Sequence, residues 1–216
     1  MTLASLIDHS ILKPHATEDE IRQGAQLCMQ YHLGAYCVNL SNVAVAVQAL
    51  SHSGIPVAAT VAFPFGSVTT GAKAHETDDA LRLGAGEIDM VANIGWMLDH
   101  HWSRVTEDIR AVVNAASGMP VKVIIETGYL SRDDIRFAIE AIAKAEAHFV
   151  KNSTGFGPKG ADIEEMSWIR EITPAHLGVK AAGGIRTHAH AMEFIKHGIN
   201  RIGTSVGPAL VKEGDS

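Results

Sequence analysis

Cysteine is scarce in this chain of 216 residues, which carries only Cys28 and Cys37. Two are too few for the disulfide framework of a small secreted scaffold. Cys28 falls in a helical pattern and Cys37 in a strand pattern, so both read as reduced, buried thiols. Long apolar runs are missing too: none approaches the roughly 18 residues of a membrane span. The start, MTLASLIDHS, lacks a charged, signal-like segment. The expected compartment is therefore the cytoplasm. There is no basic excess either. The formal charge is −6, with acids and bases interspersed, which argues against nucleic acid or an anionic membrane as main partner. Twelve histidines are present, but they stand singly or in polar loops, as at His100-His101 and His188-Ala189-His190. None forms the spaced cluster of a zinc site, so no metal and no other cofactor is expected.

What is there is a steady alternation. With 46% hydrophobic residues, the chain can bury a large core, and no linker or low-complexity segment divides it. Residues 1–216 read as one domain. Eight short β-rich runs are expected at 7–11, 35–40, 57–62, 87–93, 121–127, 149–153, 178–182 and 201–204. Amphipathic helical patterns fall between them, among others at 18–31, 72–83, 104–116, 132–144, 163–171 and 188–197. Glycine follows several helices, at Leu33-Gly34, Leu83-Gly84 and His197-Gly198, as a left-handed cap prefers. Thr17 with Glu20 and Ser131 with Asp134 have capping-box spacing. Eight βα repeats favour an α/β fold of the closed (β/α)₈ barrel type. A doubly wound open sheet shares the alternation, but no G-x-G-x-x-G follows the first strand to support it.

Two lysines carry the chemistry. Lys151 stands in Phe149-Val150-Lys151-Asn152-Ser153-Thr154-Gly155-Phe156, and Lys180 in Val179-Lys180-Ala181-Ala182-Gly183-Gly184-Ile185-Arg186. Both segments read as buried strands running into glycine turns, joined by a helix, so they can lie side by side in parallel. A lysine inside a sheet costs several kcal/mol in desolvation. Nucleophilic amine chemistry is one reason to bear that cost, and a stem packed in the core with its head at the rim is the other. Two ammonium groups about 5 Å apart repel by about 3 kcal/mol at an effective dielectric of about 20. That lowers one of them from ~10.4 towards ~8, and desolvation acts in the same direction. On this reading mutual repulsion makes one lysine the free amine.

Seven further segments occur in a familiar order: Ile7-Asp8-His9-Ser10 to Lys13-Pro14, Cys37-Val38-Asn39, Phe63-Pro64-Phe65-Gly66, Lys73 with Glu76, Glu87-Ile88-Asp89-Met90-Val91, Lys122-Val123-Ile124-Ile125-Glu126-Thr127, and Arg201-Ile202-Gly203-Thr204-Ser205. Together with the lysine segments they resemble the deoxyribose-phosphate aldolase family nearly end to end. The resemblance implies a class I aldolase joining acetaldehyde to glyceraldehyde 3-phosphate. It matches Lys151 to the Schiff-base lysine, Lys180 to the lysine that tunes it, and Asp89 to the proton-shuttling carboxylate, acting through water with Lys180. Asp8 matches the aspartate at the hydroxyl end of the substrate, and Cys37 a cysteine at the barrel mouth. Thr154, Gly155, Gly183, Gly184, Arg186, Gly203 and Ser205 fall where barrels of this kind bind phosphate. Lys73, Lys122 and Glu126 are expected to support the charge network. The implied partners are a sugar phosphate and aldehydes, and a homo-oligomer (dimer or tetramer) is expected. Competing readings are another lysine aldolase or transaldolase on a different sugar phosphate, and a binding barrel without catalysis.

The chain departs from the family pattern at Ser10, Leu40, Ala62, Asn152 and Val206. Val206 stands where relatives carry a second serine, and one hydrogen bond to phosphate lost there is worth about 1.5–3 kcal/mol. Weaker binding of phosphorylated substrate and better tolerance of unphosphorylated aldehydes are expected. The last residues, Gly214-Asp215-Ser216, lack the C-terminal tyrosine found in one branch of the family, so closure by such a tail is not expected.

Overall fold

The computed structural model describes residues 2–214; Asp215 and Ser216, on which the expectation about the tail bears, lie outside them. Eight strands form a closed barrel in sequential order: β1 (Ile7–Ile11), β2 (Ala35–Val38), β3 (Val57–Val61), β4 (Glu87–Val91), β5 (Val121–Ile124), β6 (Phe149–Lys151), β7 (Gly178–Ala182) and β8 (Arg201–Thr204). Every pairing is parallel, and β8 returns to β1. The helices are α1 (Glu18–Gln30), α2 (Val43–Ala49), α3 (Thr70–Arg82), α4 (Ile94–Leu98), α5 (Trp102–Ala115), α6 (Arg132–Lys144), α7 (Ile163–Ile172), α8 (His188–Lys196) and α9 (Gly207–Gly214). The expected (β/α)₈ barrel is the observed fold.

Successive side chains of a strand point to opposite faces. In the barrel one set therefore packs against the helices while the other meets in the interior. Ile88, Met90, Val123, Val150, Val179, Ala181 and Ile202 belong to the continuous apolar core. The alternate positions of the same strands hold Glu87, Asp89, Lys122, Lys151, Lys180 and Arg201. Register then sets their neighbours: Asp89 lies across from Lys122, Lys151 across from Lys180, and Lys180 across from Arg201. Gly203 on β8 gives room to a lysine stem, since a Cβ there would lie 3.1 Å from Lys180 Cε.

Helix starts follow their caps. Thr17–Glu20 and Ser131–Asp134 both form the expected capping boxes. Leu83-Gly84 and His197-Gly198 end their helices with glycine at φ 96° and 81°. Leu33-Gly34 does not. There His32 takes the left-handed turn at φ 51°, and Gly34 serves close approach, because a Cβ on it would come within 2.3 Å of the Ser5 carbonyl oxygen. Three helices join the six whose bounds are given above. The alternating VAVAVQA of α2 has a two-residue period, α4 is only five residues long, and α9 opens on Gly-Pro.

Five strands stop earlier than expected, each where its C-terminal end turns to build the mouth. β2 runs into a short 3₁₀ turn at Leu40–Asn42. β3 ends before Ala62, held left-handed at φ 53° with its N–H donating to Glu76 Oε2 at 2.6 Å. β4 ends before Asn93, whose side chain caps α4 by accepting from the Trp96 N–H. β5 ends before Glu126, also left-handed at φ 52°. β6 ends before Asn152, whose Oδ1 accepts from the Ala182 N–H at 2.8 Å and ties β6 to β7. Among the described residues no helix is long and apolar enough to cross a membrane.

Candidate active site

The C-terminal ends of the strands surround a cleft of about 360 Å³. Asp8, Cys37, Lys151, Thr154, Gly155, Lys180, Gly183, Gly184, Arg186, Gly203 and Ser205 all line it, so sequence positions nearly 200 residues apart converge as expected. Asp89 is the exception. It lies beneath the cleft with no exposed surface, and its Oδ2 accepts from Lys151 Nζ at 2.8 Å and Lys180 Nζ at 2.7 Å. Asp89 and Lys180 are thus in direct contact.

Below the lysines a buried layer of charge fills the barrel. Lys180 Nζ also donates to Asp8 Oδ2 at 2.5 Å. Lys122 Nζ donates to Asp89 Oδ1 at 2.8 Å and Glu87 Oε2 at 2.6 Å, and stands 3.6 Å from Asp8 Oδ2. Arg201 Nε donates to Asp8 Oδ1 at 2.7 Å, and its Nη2 is 3.5 Å from Glu87 Oε2. Lys122 therefore supports the network as expected. Arg201 and Glu87 had no assigned part, although both stand in strand segments quoted for the resemblance.

The surroundings separate the two lysines. Burial pulls the Lys151 pKa down, the single carboxylate Asp89 opposes this, and nearby Lys180 adds to the lowering, so the net direction is down. Burial acts on Lys180 as well, but Asp8 and Asp89 together outweigh it and hold its pKa above the usual lysine range. Repulsion between the ammonium groups is thus a lesser cause than burial, and the number of carboxylates each lysine touches sets the two directions apart. Burial disfavours the ionised form of Asp89, yet Lys122, Lys151 and Lys180 hold it well below the ordinary carboxylate range. Cys37, 1% exposed, has its thiol pushed up to about 11 by burial and by Asp89. It is a neutral wall of the cleft.

The far side of the cleft is glycine-rich. Gly183 and Gly184 adopt φ of 92° and 80°, which only glycine takes without strain. Thr204 Oγ1 donates to the Ile185 carbonyl at 2.8 Å and accepts from the Val206 N–H at 3.2 Å, joining the loops after β7 and β8. Lys13 and Arg186 are exposed at the rim and line the same cleft. The N–H of Gly155, one of the residues expected at the phosphate, donates to Ser153 Oγ at 2.9 Å. Glu126 also differs from expectation. Its carboxylate accepts from the Thr154 N–H at 3.3 Å and from Thr154 Oγ1, bracing the loop after β6 rather than joining the charge layer. Lys73 lies apart too: its Nζ donates to Asp108 Oδ2 at 2.5 Å and to the Val91 carbonyl at 2.9 Å, clamping α3 to α5. Leu40 lines a neighbouring groove of about 630 Å³ with Phe63 and Phe65. Among the described residues no group of His, Cys, Asp and Glu could hold a metal ion.

The profile of the DeoC/LacD family aldolases matches residues 2–210. The deoxyribose-phosphate aldolase of Coprothermobacter proteolyticus is 44% identical over 208 residues, which cover 96% of this chain and 95% of that one. The deoxyribose-phosphate aldolase of Streptococcus sanguinis is 42% identical over 212 residues, 98% of this chain and 96% of its own. A solved tetrameric deoxyribose phosphate aldolase from Aeropyrum pernix superimposes with a TM-score of 0.92 at 28% identity, covering 99% of this chain and 91% of that one.

Proposed function

This chain belongs to the DeoC/LacD family of aldolases, and from that premise we propose that it reversibly cleaves 2-deoxy-D-ribose 5-phosphate to D-glyceraldehyde 3-phosphate and acetaldehyde through a Schiff base on Lys151. The observation that carries the assignment of Lys151 is the uneven sharing of carboxylates. Lys151 touches one, Asp89, whereas Lys180 touches two and Lys122 three within 4 Å. Lys151 is accordingly the amine that burial can strip of its proton.

In the cleavage direction the Lys151 amine adds to the C1 aldehyde of the open sugar, and loss of water leaves a protonated imine. A base takes the proton of the C3 hydroxyl, its oxygen forms the new carbonyl, and the C2–C3 electron pair moves into the imine. Glyceraldehyde 3-phosphate departs and leaves a two-carbon enamine. Protonation of that enamine at C2 and hydrolysis release acetaldehyde and the free amine. Lys180 lines the cleft and bonds Asp89 directly, so this pair is assigned the proton transfers. The glycine turns with Ser205, together with the rim cations Lys13 and Arg186, suit the phosphate end.

Assembly as a dimer or tetramer is part of the proposal. The Aeropyrum relative is tetrameric, and that relationship supports the reading. A phosphorylated substrate and two free, buried thiols suit a cytoplasmic enzyme.

Borohydride reduction in the presence of acetaldehyde, followed by peptide mapping, tests the reading. One ethyl group on Lys151, absent in Lys151→Ala, is expected. Labelling elsewhere, or none with the fold intact, refutes it. Release of acetaldehyde from the deoxy sugar phosphate separates this activity from that of other lysine aldolases.

A further inference from the structure

The charge layer under the cleft is closed and countable. Three carboxylates, Asp8, Glu87 and Asp89, meet four cationic side chains, Lys122, Lys151, Lys180 and Arg201, through contacts of 4 Å or less. The side chains of Asp8 and Asp89 are wholly buried, and those of Lys122, Lys151 and Lys180 are at most 4% exposed. With every group ionised the layer carries one positive charge too many, three against four. With one lysine neutral it balances. Excess buried charge is costly, so the stoichiometry of the layer favours one uncharged amine.

Arg201 and Glu87 complete that count from the far end. They are the first residues of β8 and β4, and neither lines the cleft. Arg201 is hydrogen-bonded to Asp8, which bonds Lys180, and Glu87 to Lys122, which bonds Asp89. We propose that Arg201 and Glu87 are positioning residues for the amine chemistry, closing a charge layer that is balanced when one amine, Lys151 with its single carboxylate, is uncharged, and thereby setting the proton affinity of Lys151 from outside the cleft. The inference rests on the reading of Lys151 as the Schiff-base amine. The charged and titratable groups around Lys151 are Asp8 of β1, Cys37 of β2, Glu87 and Asp89 of β4, Lys122 of β5, Lys180 of β7 and Arg201 of β8, with Lys13 and Arg186 at the rim. β3, with the sequence VAATV, has none.

The test uses opposite signs. The acid limb of kcat/KM reports the free enzyme's essential base, here the unprotonated amine. Arg201→Met removes a positive charge, makes the Lys151 ammonium easier to form, and is expected to move the acid limb up by about one pH unit. That is the size of one charge acting over about 10 Å at an effective dielectric of about 20. Glu87→Gln removes a negative charge and is expected to move the limb down by a similar amount. Arg201→Lys keeps the charge and should leave the limb with the wild type. Shifts of the same sign in Arg201→Met and Glu87→Gln, or no shift in a folded variant, overturn the proposal, because loosened packing has no reason to follow charge. If Arg201→Met does not fold, Glu87→Gln decides alone. Borohydride trapping on the wild type keeps the two ideas apart. No adduct at Lys151 defeats the functional reading, whereas an adduct at Lys151 with unmoved limbs defeats only this inference.

Discussion

Lys151 and Lys180 donate to the same oxygen, Asp89 Oδ2, at 2.8 and 2.7 Å. One buried carboxylate oxygen therefore holds the proposed nucleophile and its neighbour in a fixed relation, and Asp89 Oδ1 is left for Lys122. Replacing Asp89 by Asn keeps the shape and removes the charge. Three lysines would then share one carboxylate fewer in a site without solvent, and an uncompensated buried charge costs about 3–5 kcal/mol. Asp89→Asn is expected to lower unfolding stability in urea by about 3 kcal/mol and turnover by about 100-fold or more. Reductive trapping of acetaldehyde on Lys151 should persist, since the amine remains free. Loss of trapping along with turnover would place Asp89 in imine formation instead.

Glu126 makes a different prediction because it braces a loop and not the charge layer. It sits at φ 52°, strained for a residue with a Cβ, and its carboxylate takes both the N–H and the hydroxyl of Thr154. Glu126→Gln weakens bonds to a charged acceptor, each worth about 1.5–3 kcal/mol. The loop carrying Thr154 and Gly155 along the cleft should then be less well held. KM for the deoxy sugar phosphate is expected to rise about tenfold, while the rate of acetaldehyde trapping at Lys151 stays close to wild type. A fall in trapping equal to the loss in kcat/KM would show that the brace acts on the lysine itself.

His9 supplies a pH-dependent stability separate from catalysis. It is 3% exposed, stacks on Tyr36 at 5.9 Å between ring centroids, and its Nδ1 has no hydrogen-bond partner among the described residues. Burial, partly offset by a hydrogen bond with the Thr204 backbone, lowers its pKa from 6.5 to about 4. The unfolded chain therefore binds the proton more readily than the native one between those values, so stability rises with pH across the window and is lost as pH falls from 6.5 towards 4. The full effect of a shift of that size is about 3 kcal/mol. Urea unfolding of His9→Phe at several pH values should give a flatter profile than the wild type between pH 4 and 6.5. Parallel profiles would mean that the imidazole titrates alike in the native and unfolded states.

Much of this was legible in the sequence because barrel strands make simple promises. A two-residue period, eight repeats and lysines in two adjacent strands suffice to bring Lys151 opposite Lys180 and to place Asp8, Cys37 and Gly203 around them. Partner counts were not legible. That Lys180 holds two carboxylates and Lys151 one depends on Asp8 reaching across from β1 to Lys180, which no spacing encodes. The separation of Lys73 and Glu126 from the charge layer was hidden for a similar reason. Lys73 lies on α3 outside the barrel, and Glu126 has already left the strand pattern at a left-handed residue. Strand ends were overestimated wherever apolar sequence continues into a turn, as at Ala62 and Ile125.

Val206 shows the sequence argument and the structure pulling apart, and it can be decided by kinetics. A valine where relatives carry serine suggests a lost hydrogen bond to phosphate. In the structure, however, the Val206 side chain packs against the apolar core and is not among the residues lining the cleft, while Ser205 is exposed there. What Val206 offers its own loop is its backbone N–H, which donates to Thr204 Oγ1 at 3.2 Å and would do so with either side chain. A serine hydroxyl at this position would replace apolar contact and face the same packed neighbours, at a cost in stability of about 1 kcal/mol. Val206→Ser is therefore expected to leave KM for the phosphorylated sugar within about twofold of wild type, less than the roughly tenfold or more that a new hydrogen bond to a charged oxygen would bring. Should KM instead fall tenfold, the loop must turn on binding so that position 206 faces the phosphate.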